Sequence, residues 1–96
     1  MAYLSNPTET KAVLDMFGFS FAKKYGQNFL IDGNIVSKIV KNAGITKEDT
    51  VLEIGPGIGT MTQVLCEQAK NVIAVEIDKR LIDVLTFTLR DYDNVT

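Results

Sequence analysis

The sequence contains no histidine. That excludes a histidine-based acid/base pair or metal site, and no group of carboxylates is spaced for a metal instead. It contains one cysteine, Cys66, so an internal disulfide is impossible. On the inward side of a helix, Cys66 reads as a small buried hydrophobe. Long apolar runs are also missing. Charges interrupt every hydrophobic stretch well short of the roughly 18 residues a membrane span needs. Met1 to Pro7 lack a basic segment followed by an apolar one, so they do not read as a secretory signal. There is no internal repeat or low-complexity tract. By default, these absences lead to a cytoplasmic chain with no membrane partner.

What is present suits one small domain. Its 96 residues are 46% hydrophobic and 23% charged, ordinary values for a soluble globular chain. A chain this short buries a smaller share of its surface than a long one and has a thin stability margin. The net charge of −2 is unevenly spread. From Lys11 to Lys47, six lysines face Asp15 and Asp32, a balance of +4; from Glu48 to Thr96, nine acids face four bases, a balance of −5. A basic front half is what a phosphate-binding surface needs. On charge alone, solvated lysines on helix faces are the simpler explanation.

Asn6-Pro7-Thr8-Glu9 reads as a helix start, with Asn6 as cap, Pro7 in the first turn and Glu9 reaching back. Val13, Leu14 and Phe17 share a face, and Gly18 can end the helix. Phe19 to Leu30 has no clean period and reads as an ordered loop. A second helix is expected from Gly33 or Asn34 to Ala43. Asp32 caps it, Gly44 stops it, and Ile35, Val36, Ile39, Val40 and Ala43 form its apolar stripe. After a polar turn at Thr46 to Asp49, Thr50 to Ile54 reads as a strand. A helix from Thr60 to Ala69 turns Met61, Val64, Leu65 and Ala69 inward. Asn71 to Glu76 is nearly all apolar, as expected of a strand covered on both faces. Asp78 caps a last helix carrying Leu81, Ile82, Leu85 and Leu89.

The order gives a βαβ unit behind a helical extension, with residues 1–49 as the extension and 50–96 as the start of an α/β domain. Asp91 to Thr96 reads as a turn into a third strand. A sheet of two parallel strands is unusual as a complete domain, so the chain is expected to be part of a longer one.

Glu53-Ile54-Gly55-Pro56-Gly57-Ile58-Gly59-Thr60 lies between a predicted strand and a predicted helix. Where Cβ atoms are absent, a ligand can approach the backbone closely. The first βα turn of a doubly wound sheet is where such folds place their ligand. Glu76, 21 residues after Gly55, stands at the end of the second strand, where a carboxylate can accept from ribose hydroxyls. A dinucleotide fingerprint needs a glycine where Thr60 stands, so that pattern fails by one residue. No Gly-Lys-Ser/Thr follows, which excludes a Walker-type phosphate loop. S-adenosylmethionine carries an ammonium and a sulfonium and no phosphate, so a nearby carboxylate such as Glu53 suits it. The alternative is a tight structural turn with a capping acid; strand, loop, helix and Glu76 together favour the cofactor.

Lys24-Tyr25-Gly26-Gln27-Asn28-Phe29-Leu30-Ile31-Asp32 has no reading from periodicity. Together with Val51-Leu52-Glu53-Ile54-Gly55-Pro56-Gly57, Glu76-Ile77-Asp78 and Phe19-Ser20-Phe21, it resembles the ribosomal RNA adenine dimethyltransferases. Their relatives include the erythromycin-resistance methylases and the mitochondrial transcription factor B proteins. The resemblance covers nearly the whole chain. It implies the N-terminal part of a Rossmann-like class I S-adenosylmethionine-dependent methyltransferase, with small-subunit ribosomal RNA or its precursor particle as partner, acting as a monomer.

By that resemblance, Asn28 and Leu30 lie over the cofactor, Gly55 and Gly57 pass beneath its amino-acid part, and Glu76 binds its ribose. Lys23 and Lys24 lie on the RNA side and contact phosphates rather than bases. Phe29 and Leu30 also fit as simple loop anchors, and Phe19 and Phe21 read as packing the helical extension rather than stacking on RNA bases. The family's adenine-contacting Asp after the third strand and its Asn-Leu-Pro-Tyr type motif after the fourth, which holds the target base, are not in these 96 residues. No catalytic residue is therefore assigned, and this chain alone is not expected to turn over. Two other readings stay open. One is a large-subunit ribosomal RNA methylase of the resistance type, and the other is a non-catalytic RNA-binding or assembly module on the same fold.

Overall fold

The computed structural model describes residues 7–18 and 33–96. Helix α1 (Pro7–Met16) begins at its proline, whose missing N–H costs nothing in a first turn. It ends before Gly18, at φ 71°. Helix α2 (Gly33–Asn42) stops before Gly44, whose N–H donates to the Lys41 carbonyl (3.1 Å). The caps expected at Asn6 and Asp32 lie outside the described residues, as does the loop from Phe19 to Leu30. A turn then closes as the Asp49 carboxylate accepts from the Thr46 N–H (2.7 Å).

Strand β1 (Thr50–Ile54), helix α3 (Thr60–Gln68) and strand β2 (Asn71–Val75) form the βαβ unit, and helix α4 (Lys79–Thr88) follows. The two strands are parallel and in register from Thr50 opposite Asn71 to Ile54 opposite Val75. Val95 adds a parallel bridge on the other side of β2. There, the Val72 N–H donates to the Asn94 carbonyl (2.8 Å) and the Thr96 N–H to the Val72 carbonyl (2.9 Å). The expected entry into a third strand is thus present.

Two apolar clusters hold these elements. In one, Val40 of α2 meets Leu65 and Cys66 of α3, Ala69, and Val72 of β2. In the other, Val13 and Leu14 of α1 pack with Leu81 and Val84 of α4 around Ile58, which belongs to the glycine loop. Phe17 and Phe87 extend it edge to face, with ring centroids 5.8 Å apart. Helices α1 and α2 are thereby packed into the same two clusters as residues of 50–96.

Several inward-facing expectations change. The apolar run of β2 is covered on one face only: Val72 is buried, whereas Ile73 and Val75 are exposed. Side chains alternate along a strand, so Leu52, Ile54, Ile73 and Val75 share the open face. Helices α2 and α3 pack on the opposite face, through Val72 and the half-buried Val51. On α2, Val36 and Val40 are buried, while Ile35, Ile39 and Ala43 are exposed, because only a narrow stripe of the helix reaches α3. On α3, Leu65 and Ala69 are buried as expected, but Met61 and Val64 are only half-buried. Thr62, Gln63 and Cys66 are buried beside them. On α4, Val84 is buried and Ile82 exposed, since the helix turns its Leu81–Val84 side to α1.

Candidate functional site

The loop joining β1 to α3 turns on three glycines in the left-handed region: Gly55 (φ 69°), Gly57 (φ 62°) and Gly59 (φ 99°). Residues with a Cβ rarely adopt that region, so the glycines are required by the path of the backbone. The Gly55 N–H donates to the Val75 carbonyl at the end of β2 (2.8 Å), and the Gly59 N–H closes a turn on the Pro56 carbonyl (3.0 Å). A Cβ placed on Gly55 would meet nothing within 4 Å, so the backbone there borders open space. Ile58, by contrast, is almost fully buried in the α1–α4 cluster. Full burial of such a side chain contributes roughly 1.5–3 kcal/mol, enough to pin the loop at this residue.

Glu76 lies one residue beyond β2 and is half-buried. Its Oε1 accepts from the Gly57 N–H (3.2 Å) and its Oε2 from the Asp78 N–H (2.9 Å). The structure therefore brings Gly55, Gly57 and Glu76 together at the C-terminal ends of the two strands. Asn28 and Leu30, together with Lys23, Lys24, Phe19 and Phe21, lie outside the described residues. A carboxylate offers about four lone-pair positions, so two backbone amides leave Glu76 able to accept more.

Glu53 is engaged on the inner side. Its Oε1 accepts a hydrogen bond from the Thr62 hydroxyl of α3, on the sheet face that the helices cover. Burial raises its carboxyl above the usual value of 4.5, and the Thr62 hydrogen bond offsets only part of that rise. The Cys66 thiol is pushed up to about 11, first by burial and then by the charges of Glu53 and Glu67. A thiol so protonated is a poor nucleophile.

Sequence reasoning missed the side chains that hold the loop from behind. The Thr88 hydroxyl, near the end of α4, donates to the Ile58 carbonyl (2.8 Å). The Gln63 side-chain amide donates to the Thr88 carbonyl (2.9 Å). A Cβ on Gly59 would come within 2.9 Å of the Thr88 hydroxyl oxygen. Thr62 could have been found, since positions 62, 65, 66 and 69 form a helical stripe once polar residues are admitted to it. Thr88 carries no local signal, being 30 residues from its partner. Asp78 does cap α4 by accepting from the Arg80 N–H (3.0 Å). Its carboxylate also takes a two-pronged pair from the Arg80 guanidinium (3.1 and 2.7 Å), which the sequence did not announce.

Comparison with known proteins agrees with this architecture. The chain is 62% identical over 97 aligned positions to Ribosomal RNA small subunit methyltransferase A of Lachnoclostridium phytofermentans, covering 100% of this chain and 33% of that protein. The chain spans about a third of the length of the curated relatives it matches. Among solved structures, a dimethyladenosine transferase from Plasmodium falciparum superposes with TM-score 0.61 at 38% identity, over 66% of this chain and 24% of that one. The 23S rRNA methyltransferase ErmE superposes with TM-score 0.67 at 37% identity, over 71% of this chain and 28% of that one. The architecture is accordingly an N-terminal portion of the Rossmann-like methyltransferase fold. Residues 18–96 match the family described as Ribosomal RNA adenine dimethylase, and the chain belongs to that family.

Proposed function

We propose that this chain is the S-adenosylmethionine-binding portion of an rRNA adenine N6-dimethyltransferase that modifies small-subunit ribosomal RNA during ribosome biogenesis. Residues 50–96 carry the cofactor cradle and residues 1–49 the helical extension. The observation that carries the reading is Glu76, which stands at the end of β2 with its carboxylate on the Gly57 amide. A ribose lying across the strand ends would find this acceptor beside the open backbone at Gly55. When bound, S-adenosylmethionine supplies an electrophilic methyl on its sulfonium. The residues of this chain bind and orient it: Gly55 and Gly57 by close backbone approach, Glu76 by its carboxylate, and Asn28 and Leu30 from above. None of them is assigned a part in the chemistry.

The partner in this reading is ribosomal RNA within a small-subunit precursor, met in the cytoplasm by a monomeric enzyme. Among the described residues, no helix is long and apolar enough to cross a membrane. Large-subunit methylation is the second reading, favoured by the likeness to ErmE. The small-subunit relative, matching the whole chain at 62% identity, supports the first more strongly. Calorimetric titration with S-adenosylmethionine tests the cofactor assignment. We expect saturable binding, weakened about tenfold or more in Glu76→Ala, the cost of a charged hydrogen-bond acceptor, and no competition by NAD. Saturable NAD binding with no response to S-adenosylmethionine overturns it.

A further inference from the structure

We propose that Thr88 is a positioning residue of the glycine loop, acting from the far end of α4 without touching the cofactor. The inference rests on the reading of the loop as the cofactor cradle, and it adds what keeps the loop in shape. Three independent observations meet at this residue. The Thr88 hydroxyl donates to the carbonyl of Ile58, between the second and third loop glycines. Gly59 comes so close to the same hydroxyl that no Cβ fits between them. Gln63, from the second turn of α3, donates to the Thr88 carbonyl.

The chemistry explains why these groups are paired. A loop carbonyl such as that of Ile58, buried with its residue in the α1–α4 cluster, needs a donor. The last carbonyls of a helix lack partners within it, and Thr88 is the last residue of α4. Thr88 answers the first need with its hydroxyl, and Gln63 answers the second with its amide. Loop, α3 and α4 are thereby locked through two hydrogen bonds, and Gln63 and Thr88 are 1% and 4% exposed. Glu76 holds the loop from the other side at the Gly57 N–H. With Ile58 fixed from behind and Gly57 from in front, the loop has little freedom left at the residues a ligand approaches.

The test compares this chain with its Thr88→Val and Thr88→Ser variants. Valine keeps the shape and removes the donor; serine restores the donor. Amide hydrogen exchange is read at Gly57 and Gly59 and, as an internal reference, at Val72 and Ala74 in β2. S-adenosylmethionine affinity is read in parallel. In Thr88→Val, exchange at the loop amides rises about tenfold over the β2 amides and affinity falls by a similar factor, the scale of one lost buried hydrogen bond. Thr88→Ser recovers both. Unchanged loop exchange in Thr88→Val, or equal acceleration at loop and strand, overturns the positioning role. If the unaltered chain shows no S-adenosylmethionine response while loop exchange behaves as stated, the cofactor reading falls and the loop lock stands.

Discussion

Gly59 and Glu53 show how the fold commits single residues. Gly59 combines φ 99° with a neighbour 2.9 Å from where its Cβ would lie. Gly59→Ala therefore combines backbone strain with displacement of a buried hydroxyl. We expect a loss of roughly 1–3 kcal/mol in urea unfolding, with the slope of the transition unchanged. Stability equal to the parent would show that α4 yields at Thr88. Glu53 is the opposite case, a group whose charged form the fold disfavours. Because burial raises its folded carboxyl above 4.5, its protonated form is the one the fold favours. Its contribution is complete below the unfolded value and is lost as pH rises through the raised one. Glu53→Gln keeps an acceptor for Thr62 and removes the charge. It is expected to melt higher than the parent at pH 7, with the gap closing as pH falls below 4.5; a gap independent of pH would rule out ionisation as its cause. The sequence marked Glu53 as an acid beside the glycine loop, since its spacing from the glycines is local. It could not show Thr62 as its partner, because that contact depends on how α3 crosses the sheet.

At the level of elements, helices cover one face of the sheet and leave the other exposed. Leu52 and Ile54 are 62% and 72% exposed, and Ile73 and Val75 stand beside them in register. Contiguous apolar surface of this kind drives association. Sedimentation of the 96-residue chain should show self-association rising with concentration. The double variant Leu52→Thr, Ile73→Thr should reduce it without loss of helical signal, because neither side chain belongs to an apolar cluster. Association unaffected by the pair would move the sticky surface elsewhere, to the exposed Ile35 and Ile39 of α2 for instance. The order and bounds of the elements were legible, because glycines, a proline and period changes mark their ends. Their solvent-facing sides were not. An apolar run reports what a strand can bury, while the helices actually packed beside it determine what is buried.

For the molecule as a whole, the loop, both strands and α4 converge on one place, so a ligand bound there would act on the stability of the entire chain. The meeting of Gly55, Gly57 and Glu76 was legible from the glycine spacing and from the place of Glu76 because both follow from the chain path of a βα turn. The lock at Thr88 was not, because it joins residues 30 apart that no local pattern links. A ligand that binds only the folded state stabilises it by about 2.7 kcal/mol at a hundredfold excess over its Kd. For a domain of 60–100 residues, each kcal/mol moves Tm by about 4–8 °C. S-adenosylmethionine at that excess is therefore expected to raise Tm by roughly 10–20 °C, and NAD at the same concentration to leave it unchanged. In Glu76→Ala the gain at the same cofactor concentration should shrink by about half, because a tenfold weaker Kd leaves only a tenfold excess. Scanning calorimetry with and without the cofactor reads all three values. A Tm that ignores S-adenosylmethionine would separate the cradle's shape from any binding role, leaving Glu76 as a structural tie between β2 and the glycine loop.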